Sequence, residues 1–329
     1  MRRDRRNLAL LALLLVAVSG TALLFGRYPR PGFLTPGTLR TDPLAVNLLL
    51  FLRLPRVITA ILLGAGLGAA GAVMQMLFAN PLVEPGLIGV SQGAGFGAIL
   101  AITVGARAPW QIQGIATVSA LLGMATAYRI ARNLRFGGWI LRLILSGIAV
   151  SALFSAGIGL LKFVADPLNE LPEITFWLLG GIWNVDWSGV VRIAPGVVLG
   201  LGVLLAGRWR LNVLTLHDRV SFSLGANPSR ERLVFLAAAT LPVAILVASA
   251  GIISWVGLLV PHAARRLFRA DAAVAVPASM LLGAIFVVLA DTVARTIAAG
   301  EIPLGIVTAL LGALAFVYLL LTHNIRMTR

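Results

Sequence analysis

The chain has 329 residues, of which 59% are hydrophobic and only 12% charged, and its net charge is +15. A soluble domain carries about 25% charged residues, so this chain has too little polar material to coat a water-facing surface. It has no cysteine, which removes disulfides, thiolate catalysis and cysteine metal sites.

The apolar residues come in long runs, and strand-type alternation is absent. Helices of roughly 20 apolar residues are therefore the expected spanning elements. The fold class is an all-α polytopic membrane protein with about ten transmembrane helices, and residues 1–329 read as a single transmembrane domain. The positive charge is almost entirely arginine, and Lys162 is the only lysine. No basic stripe is interleaved with stacking aromatics, so nucleic acid is not an expected partner. Basic cytoplasmic loops and anionic lipid account for the charge.

Residues 2–6 (RRDRR) precede the apolar run Leu8–Gly26. A cleavable signal peptide has a similar layout. This run is long enough to span and more apolar runs follow, so it reads as a retained first helix with a cytoplasmic start. Residues 27–50 contain Pro29, Pro31, Pro36 and Pro43 and read as an external loop, dipping into the interface near Leu48–Phe51. The second span is Leu54–Phe78, the third Leu87–Val104, and the fourth Trp110–Tyr128. The turn Asn80–Gly86 separates the second from the third.

Arg129–Arg142 reads as a basic loop, and the fifth span follows it to Val164. Ala165–Trp187 is an acidic external stretch; the FWLLGGIW within it is too short to span and reads as a short surface helix. The sixth span is Val190–Ala206. Arg208–Arg232 is the longest internal polar interval, and its apolar spacing fits one or two short amphipathic helices. The seventh span ends near Ala250, a short eighth (Gly251–Leu267) is broken near Pro261, and the last two are Val276–Ile297 and Leu304–Thr322.

Ten spans place both termini on one side. With that side cytoplasmic, 18 of the 27 basic residues fall inside, as the Lys/Arg bias requires. Asn80–Gly86 then faces the cytoplasm, and Arg53 and Arg56 face outward.

No catalytic set is visible. His217, His262 and His323 lie in separate segments and none sits in HExxH. Ser91 and Ser146 lie in glycine-rich helices rather than GxSxG elbows, and small-residue packing accounts for both. GxxxxGK[ST] is absent, so any ATP would be hydrolysed on another polypeptide. No metal or cofactor is expected. Eight of the nine residues from Gly64 to Ala72 are Gly or Ala, a surface suited to close helix approach.

Arg53 and Arg56 share a helix face, and Asp291 and Arg295 are four apart and placed to pair. Two readings of Arg53, Arg56 and Arg295 stand at this point: snorkelling to lipid headgroups, or docking of an acidic partner. An ion-coupled transporter would place carboxylates in mid-helix, and only Asp291 meets that requirement. An intramembrane enzyme would need a converging nucleophile and base.

The segments LRLPR, GAVMQMLFANPLVEPGLIGVSQGAG, FWLLGGIWNVDW, LNVLTLHDRVSFSLGAN, GIISWVGLLVPHAARRLF and LADTVARTIAAGEIPLGIVTALLG occur in that order. This series resembles the FecCD-type permeases, membrane subunits of bacterial ABC importers for iron–siderophores, haem and cobalamin. The cobalamin branch is especially similar around GAVMQ and FWLLGG. The resemblance spans about residues 45–322.

It implies a type II importer fold in the cytoplasmic membrane, working as a homodimer with the pathway at the dimer interface. Two cytoplasmic ATPase subunits and an external substrate-binding protein would be its partners. Arg53, Arg56 and Arg295 match arginines that meet glutamates of the binding protein. Leu216, His217, Asp218, Ser223, Leu224 and Gly225 fall in the matching ATPase-coupling loop. Leu82, Gly138, Trp139 and Ile140 fall in the cytoplasmic gate. The implied cargo is a metal chelate, ferric siderophore first, with cobalamin or haem as alternatives.

The chain departs from the family pattern at His217, where Gly is usual, and at Trp139 and Ile140, where the cobalamin branch has small hydroxylated residues. Arg269–Ala272 replaces Gly-x-Asp-His, and Leu314 replaces a frequent Pro.

Overall fold

A computed structural model describes residues 2–28, 30–298 and 300–322. His323, Arg326 and Arg329 therefore lie outside the described residues, as does Pro29. The first helix, α1 (Arg2–Leu24), runs into a two-residue antiparallel ribbon, β1 (Phe25–Gly26) with β2 (Gly32–Phe33). Two short helices follow, α2 (Pro36–Thr41) and α3 (Pro43–Asn47). The prolines expected to keep this region a loop open its helices instead, capped by the side chains of Thr35 and Asp42. A first-turn N–H has no helical acceptor to lose, so proline costs nothing there.

Leu48–Arg53 is a π-helical turn continuous with α4 (Leu54–Leu77). Residues 48–51 thus belong to a helix rather than to a dipping loop. Pro55 gives the reason: its ring would strike the carbonyl of Phe51, and a wider turn relieves the clash.

A 3₁₀ turn (Pro85–Ile88) leads to α5 (Val90–Thr103), then α6 (Pro109–Asn133) and α7 (Trp139–Val164). The basic loop expected over 129–142 shrinks to residues 134–138. The short external helix is α8 (Glu170–Leu179). Next is α9 (Trp187–Leu214), whose first turn is capped by the Asp186 carboxylate accepting from the Gly189 N–H at 2.7 Å. The interval 208–232 holds one short helix, α10 (Asp218–Ser223), between the extended end of α9 and the start of α11 (Pro228–Ala250).

Gly251–Ser254 is non-helical, and α12 (Val256–Leu267) passes through Pro261 without breaking. The chain closes with α13 (Ala272–Thr296) and α14 (Leu304–Thr322). Among the described residues, seven helical segments are long and apolar enough to cross a membrane: α1, the continuous run of α3, the π turn and α4 (Pro43–Leu77), α6, α7, α9, α11 and α13. The shorter α5, α12 and α14 complete the ten predicted stretches.

The bundle is built around α4. Every residue from Leu63 to Gln75 is buried. A Cβ on Gly64 would collide with the carbonyl of Gly283 on α13, and one on Gly71 with the carbonyl of Gly257 on α12. Only glycine permits these backbones to touch, which gains dispersion and Cα–H···O contacts without a water-driven term.

The helices alternate in direction. The end of α1, the start of α4, the start of α9 and the end of α13 share one end of the bundle, shown by Arg53 to the Leu23 carbonyl, Arg56 to Asp291, and Trp187 to the Leu50 carbonyl. The other end gathers the end of α4, the start of α7, the end of α9 and the starts of α11 and α13. There the rings of Phe78 and Trp139 meet at a tilt, Arg232 reaches the Leu214 carbonyl, and Asn212 reaches Asp271.

Candidate functional site

The predicted site residues separate to these two ends. At the first end, Arg56 is the centre. Its Nε donates to both oxygens of Asp291 at 2.9 and 3.1 Å, and its Nη1 donates to both oxygens of Glu301 at 2.9 and 2.8 Å. The Arg56 side chain is 11% exposed, Asp291 2% and Glu301 43%. Arg53 is half-buried and donates to the carbonyls of Leu23 and Leu24 at 3.0 and 3.3 Å. Arg295 donates to the Ala22 carbonyl and stands 3.7 Å from Asp291.

The structure thus brings the three predicted arginines together, but as members of an internal network rather than as free outer charges. The predicted Asp291–Arg295 pair is the longer one; Asp291 belongs chiefly to Arg56. Arg27, Arg53, Arg56, Arg295 and Glu301 line a cleft of about 300 Å³ whose charge remains positive. Glu301 was not singled out from the sequence. It lies six residues beyond Arg295 in a non-helical segment, where no helical spacing points to a partner.

At the second end, the turn after α4 is held by buried polar groups. The Gln75 amide donates to the carbonyls of Val83, Gly257 and Leu258 at 3.3, 3.4 and 3.1 Å, and its oxygen accepts from Arg265 at 2.5 Å. The Glu84 carboxylate accepts from the backbone N–H of Trp255 at 3.2 Å. Trp255 has a left-handed backbone (φ 73°) at the start of α12, so Glu84 serves the orphan donor of that turn. Burial pushes the Glu84 carboxyl up from its ordinary range, and the Trp255 N–H opposes part of that rise. Leu82, at the tip of the turn, is 59% exposed.

Gly138 is the N-cap of α7, and Trp139 and Ile140 form its first turn, both half-buried. The Trp139 ring lies 5.8 Å from the Phe78 ring, and the guanidinium carbon of Arg232 sits 5.4 Å from the Trp139 ring centroid. Arg232 also donates to Asp218 at 2.6 Å and to the Leu214 carbonyl at 3.4 Å.

In the predicted coupling loop, His217 is the N-cap of α10 and Asp218 its first residue. Gly225 takes φ 79°, a left-handed turn that lets the chain reverse toward α11. Ser221 anchors the loop by donating to the Val213 carbonyl at 2.7 Å. Leu216, Val220, Phe222 and Leu224 are exposed, Phe222 by 72%, and Ser223 is exposed beside them. Phe222 and Ser221 went unnamed from the sequence. Their opposite burial follows from the turn of α10, which only its docking on α9 reveals.

The sequence and the fold both have counterparts among known proteins. The sequence pattern of the FecCD transport family matches residues 8–322. The chain is 38% identical over 317 residues to the molybdate import system permease protein MolB of Haemophilus influenzae, covering 93% of this chain and 92% of that protein. It is 40% identical over 275 residues to the "Probable iron chelatin transport system permease protein" of Helicobacter pylori strain 26695, covering 83% and 82%. A solved structure described as "An inward-facing conformation of a putative metal-chelate type ABC transporter" superposes with a TM-score of 0.89 at 36% identity, covering 97% of this chain and all of that one.

Proposed function

The chain belongs to the FecCD transport family, and on that premise we propose that it is the permease subunit of an ATP-driven importer carrying ferric siderophore from an external binding protein to the cytoplasm. In this reading the Arg53, Arg56 and Arg295 end faces outward and receives an acidic binding protein. The end bearing Leu82, Gly138, Trp139 and Ile140 is the cytoplasmic gate. The segment Leu216–Gly225 seats on a separate ATPase subunit, which closes on ATP and drives alternating access. Residues 1–329 act as one transmembrane domain in the cytoplasmic membrane with both termini inside, and two copies enclose the pathway.

The observation that carries the reading is the polarity of the bundle. A cationic cleft lies at one end, and at the other stands α10, where Val220 and Phe222 and the flanking Leu216 and Leu224 form an exposed apolar patch with no hydrocarbon partner expected. A bulky chelate is favoured over a small oxyanion by the open face of α7. Ala152, Leu153, Ala156, Gly159 and Leu160 are exposed there, with no fixed charge among them. Such a lining binds weakly and releases easily, which leaves selection to the binding protein.

The test is uptake into liposomes holding the permease, its ATPase and its binding protein. Radioactive iron as a hydroxamate chelate is compared with molybdate and cobalamin. ATP-dependent uptake of the iron chelate is the expected result. Uptake without ATP hydrolysis rejects the importer reading, and uptake of molybdate or cobalamin alone rejects the siderophore.

A further inference from the structure

Four side chains at the α10 end form one continuous line across four helices. Asp218 opens α10. Arg232, in the first turns of α11, donates to it at 2.6 Å. The Arg232 side chain is only 11% exposed, and its Nε is buried without a hydrogen-bond partner. Its guanidinium stands over Trp139 at the start of α7, and the Trp139 ring meets that of Phe78 at a tilt of 49° at the end of α4, immediately before the turn that carries Leu82.

We propose that Arg232 is the residue that transmits movement of α10 to the gate, because its guanidinium is bonded to Asp218 on one side and covers Trp139 on the other. The proposal rests on the reading of α10 as the ATPase contact and of the Trp139 region as the gate. It also gives a physical role to Trp139, where the family resemblance alone showed only a departure.

The chemistry suits transmission better than anchoring. A planar guanidinium bonds along its edge and stacks through its face at the same time, so two neighbours at right angles are held by one rigid group. A cation over an indole is attracted by the ring quadrupole, and the attraction grows as water is excluded. Asp218 is 66% exposed, so its end of the line is free to follow a partner. Phe78 is buried, so the far end moves only with α4. The cleft of about 240 Å³ beside this line, lined by Tyr128, Arg132, Arg142 and Ser229 among others, provides room for Arg232 to shift.

The absence of cysteine makes single-site spin labelling unambiguous. Labels at Thr215→Cys, beside α10, and at Pro81→Cys, in the gate turn, report distances between the two copies. They are measured in nanodiscs with the ATPase subunits bound, without nucleotide and with ATP plus vanadate. The parent protein is expected to shift at both positions. Arg232→Gln and Trp139→Leu are expected to keep the shift at 215 and lose it at 81, whereas Trp139→Phe, which retains a ring beneath the cation, keeps both. Trp139→Leu leaves the Asp218–Arg232 pair intact and decides the matter if Arg232→Gln fails to assemble.

An unchanged shift at 81 in Trp139→Leu overturns the proposal. Loss of both shifts in Trp139→Leu also overturns it, since the line would then be structural only. A parent protein that shifts at 215 but not at 81 overturns it too. A parent that does not shift at 215 instead rejects the coupling role of α10, and the proposal falls with that reading.

Discussion

Arg56→Ala is the sharpest test of the network at the arginine end. The substitution removes three close contacts to Asp291, from Nε at 2.9 and 3.1 Å and from Nη2 at 2.8 Å. What remains for a carboxylate only 2% exposed is Arg295 at 3.7 Å, whose Nε makes no hydrogen bond to it. Removing one member of a buried pair leaves an uncompensated charge, at about 3–5 kcal/mol. The Arg56–Glu301 pair adds little to this, because Glu301 is 43% exposed and such pairs contribute about 0–1 kcal/mol.

Arg56→Ala should therefore lower stability by about 3–5 kcal/mol and Glu301→Ala by less than about 1 kcal/mol. The double variant Arg56→Met with Asp291→Leu should recover part of the loss, since an apolar replacement of a buried pair is commonly neutral or better, while Arg295 loses its carboxylate and keeps the Ala22 carbonyl. Tryptophan fluorescence during thermal and denaturant unfolding in detergent measures all of these. Equal losses for Arg56→Ala and Glu301→Ala, or a double variant no better than the single one, would refute the reasoning. Arg56→Glu is accordingly a poor test of partner docking, because it damages the fold first. Glu301→Gln is cleaner: it keeps an acceptor for Nη1 of Arg56 but removes the negative charge beside it, and should tighten binding of an acidic partner, measured by surface plasmon resonance at low salt.

Three further outcomes follow from the packing and the charges. Gly64→Val should destabilise by at least about 1–3 kcal/mol, because its Cβ meets the Gly283 backbone rather than a side chain that can swing away; the unfolding midpoint measures it. Glu84→Gln keeps the acceptor for Trp255 while removing a carboxyl whose folded pKa is raised by burial. In the parent, the folded state holds this proton more tightly, so stability declines as pH rises from the ordinary carboxylate pKa through the folded value. Unfolding curves across that window should show the decline flattened in Glu84→Gln, with neutral-pH stability equal or higher. Phe222→Ser should leave the unfolding midpoint unchanged, since the ring is 72% exposed, while reducing recovery of the ATPase subunit on affinity purification.

Hydropathy located the ten stretches because the requirement for a spanning helix is local: about 20 apolar residues with their backbone groups satisfied internally. It placed their ends poorly. The helix α6 runs on to Asn133, α7 begins at Trp139, and α9 continues to Leu214. A 28-residue helix is about 42 Å long, more than the roughly 30 Å of hydrocarbon, so its polar ends project beyond the apolar run that marks it. Pro36 and Pro43 misled for a related reason: proline breaks helix interiors but is at home in first turns. The Arg53, Arg56 and Arg295 grouping was legible through motif order alone, and spacing placed only the first two on one face.

The sequence by itself determined the membrane class, the ten apolar stretches, the family and the small-residue stripe on α4, since each depends on residues close together in the chain. Only the tertiary structure decided which charges meet. Arg56 finds Asp291 and Glu301 at separations of 235 and 245 residues, and Glu84 finds Trp255 at 171. Arg232 meets Asp218 and Trp139 in the same way, across three helices. Those meetings depend on how helices are rotated and how closely they cross. Glycine contacts such as Gly64 with Gly283 set that geometry at each crossing, and no spacing within a single helix encodes it.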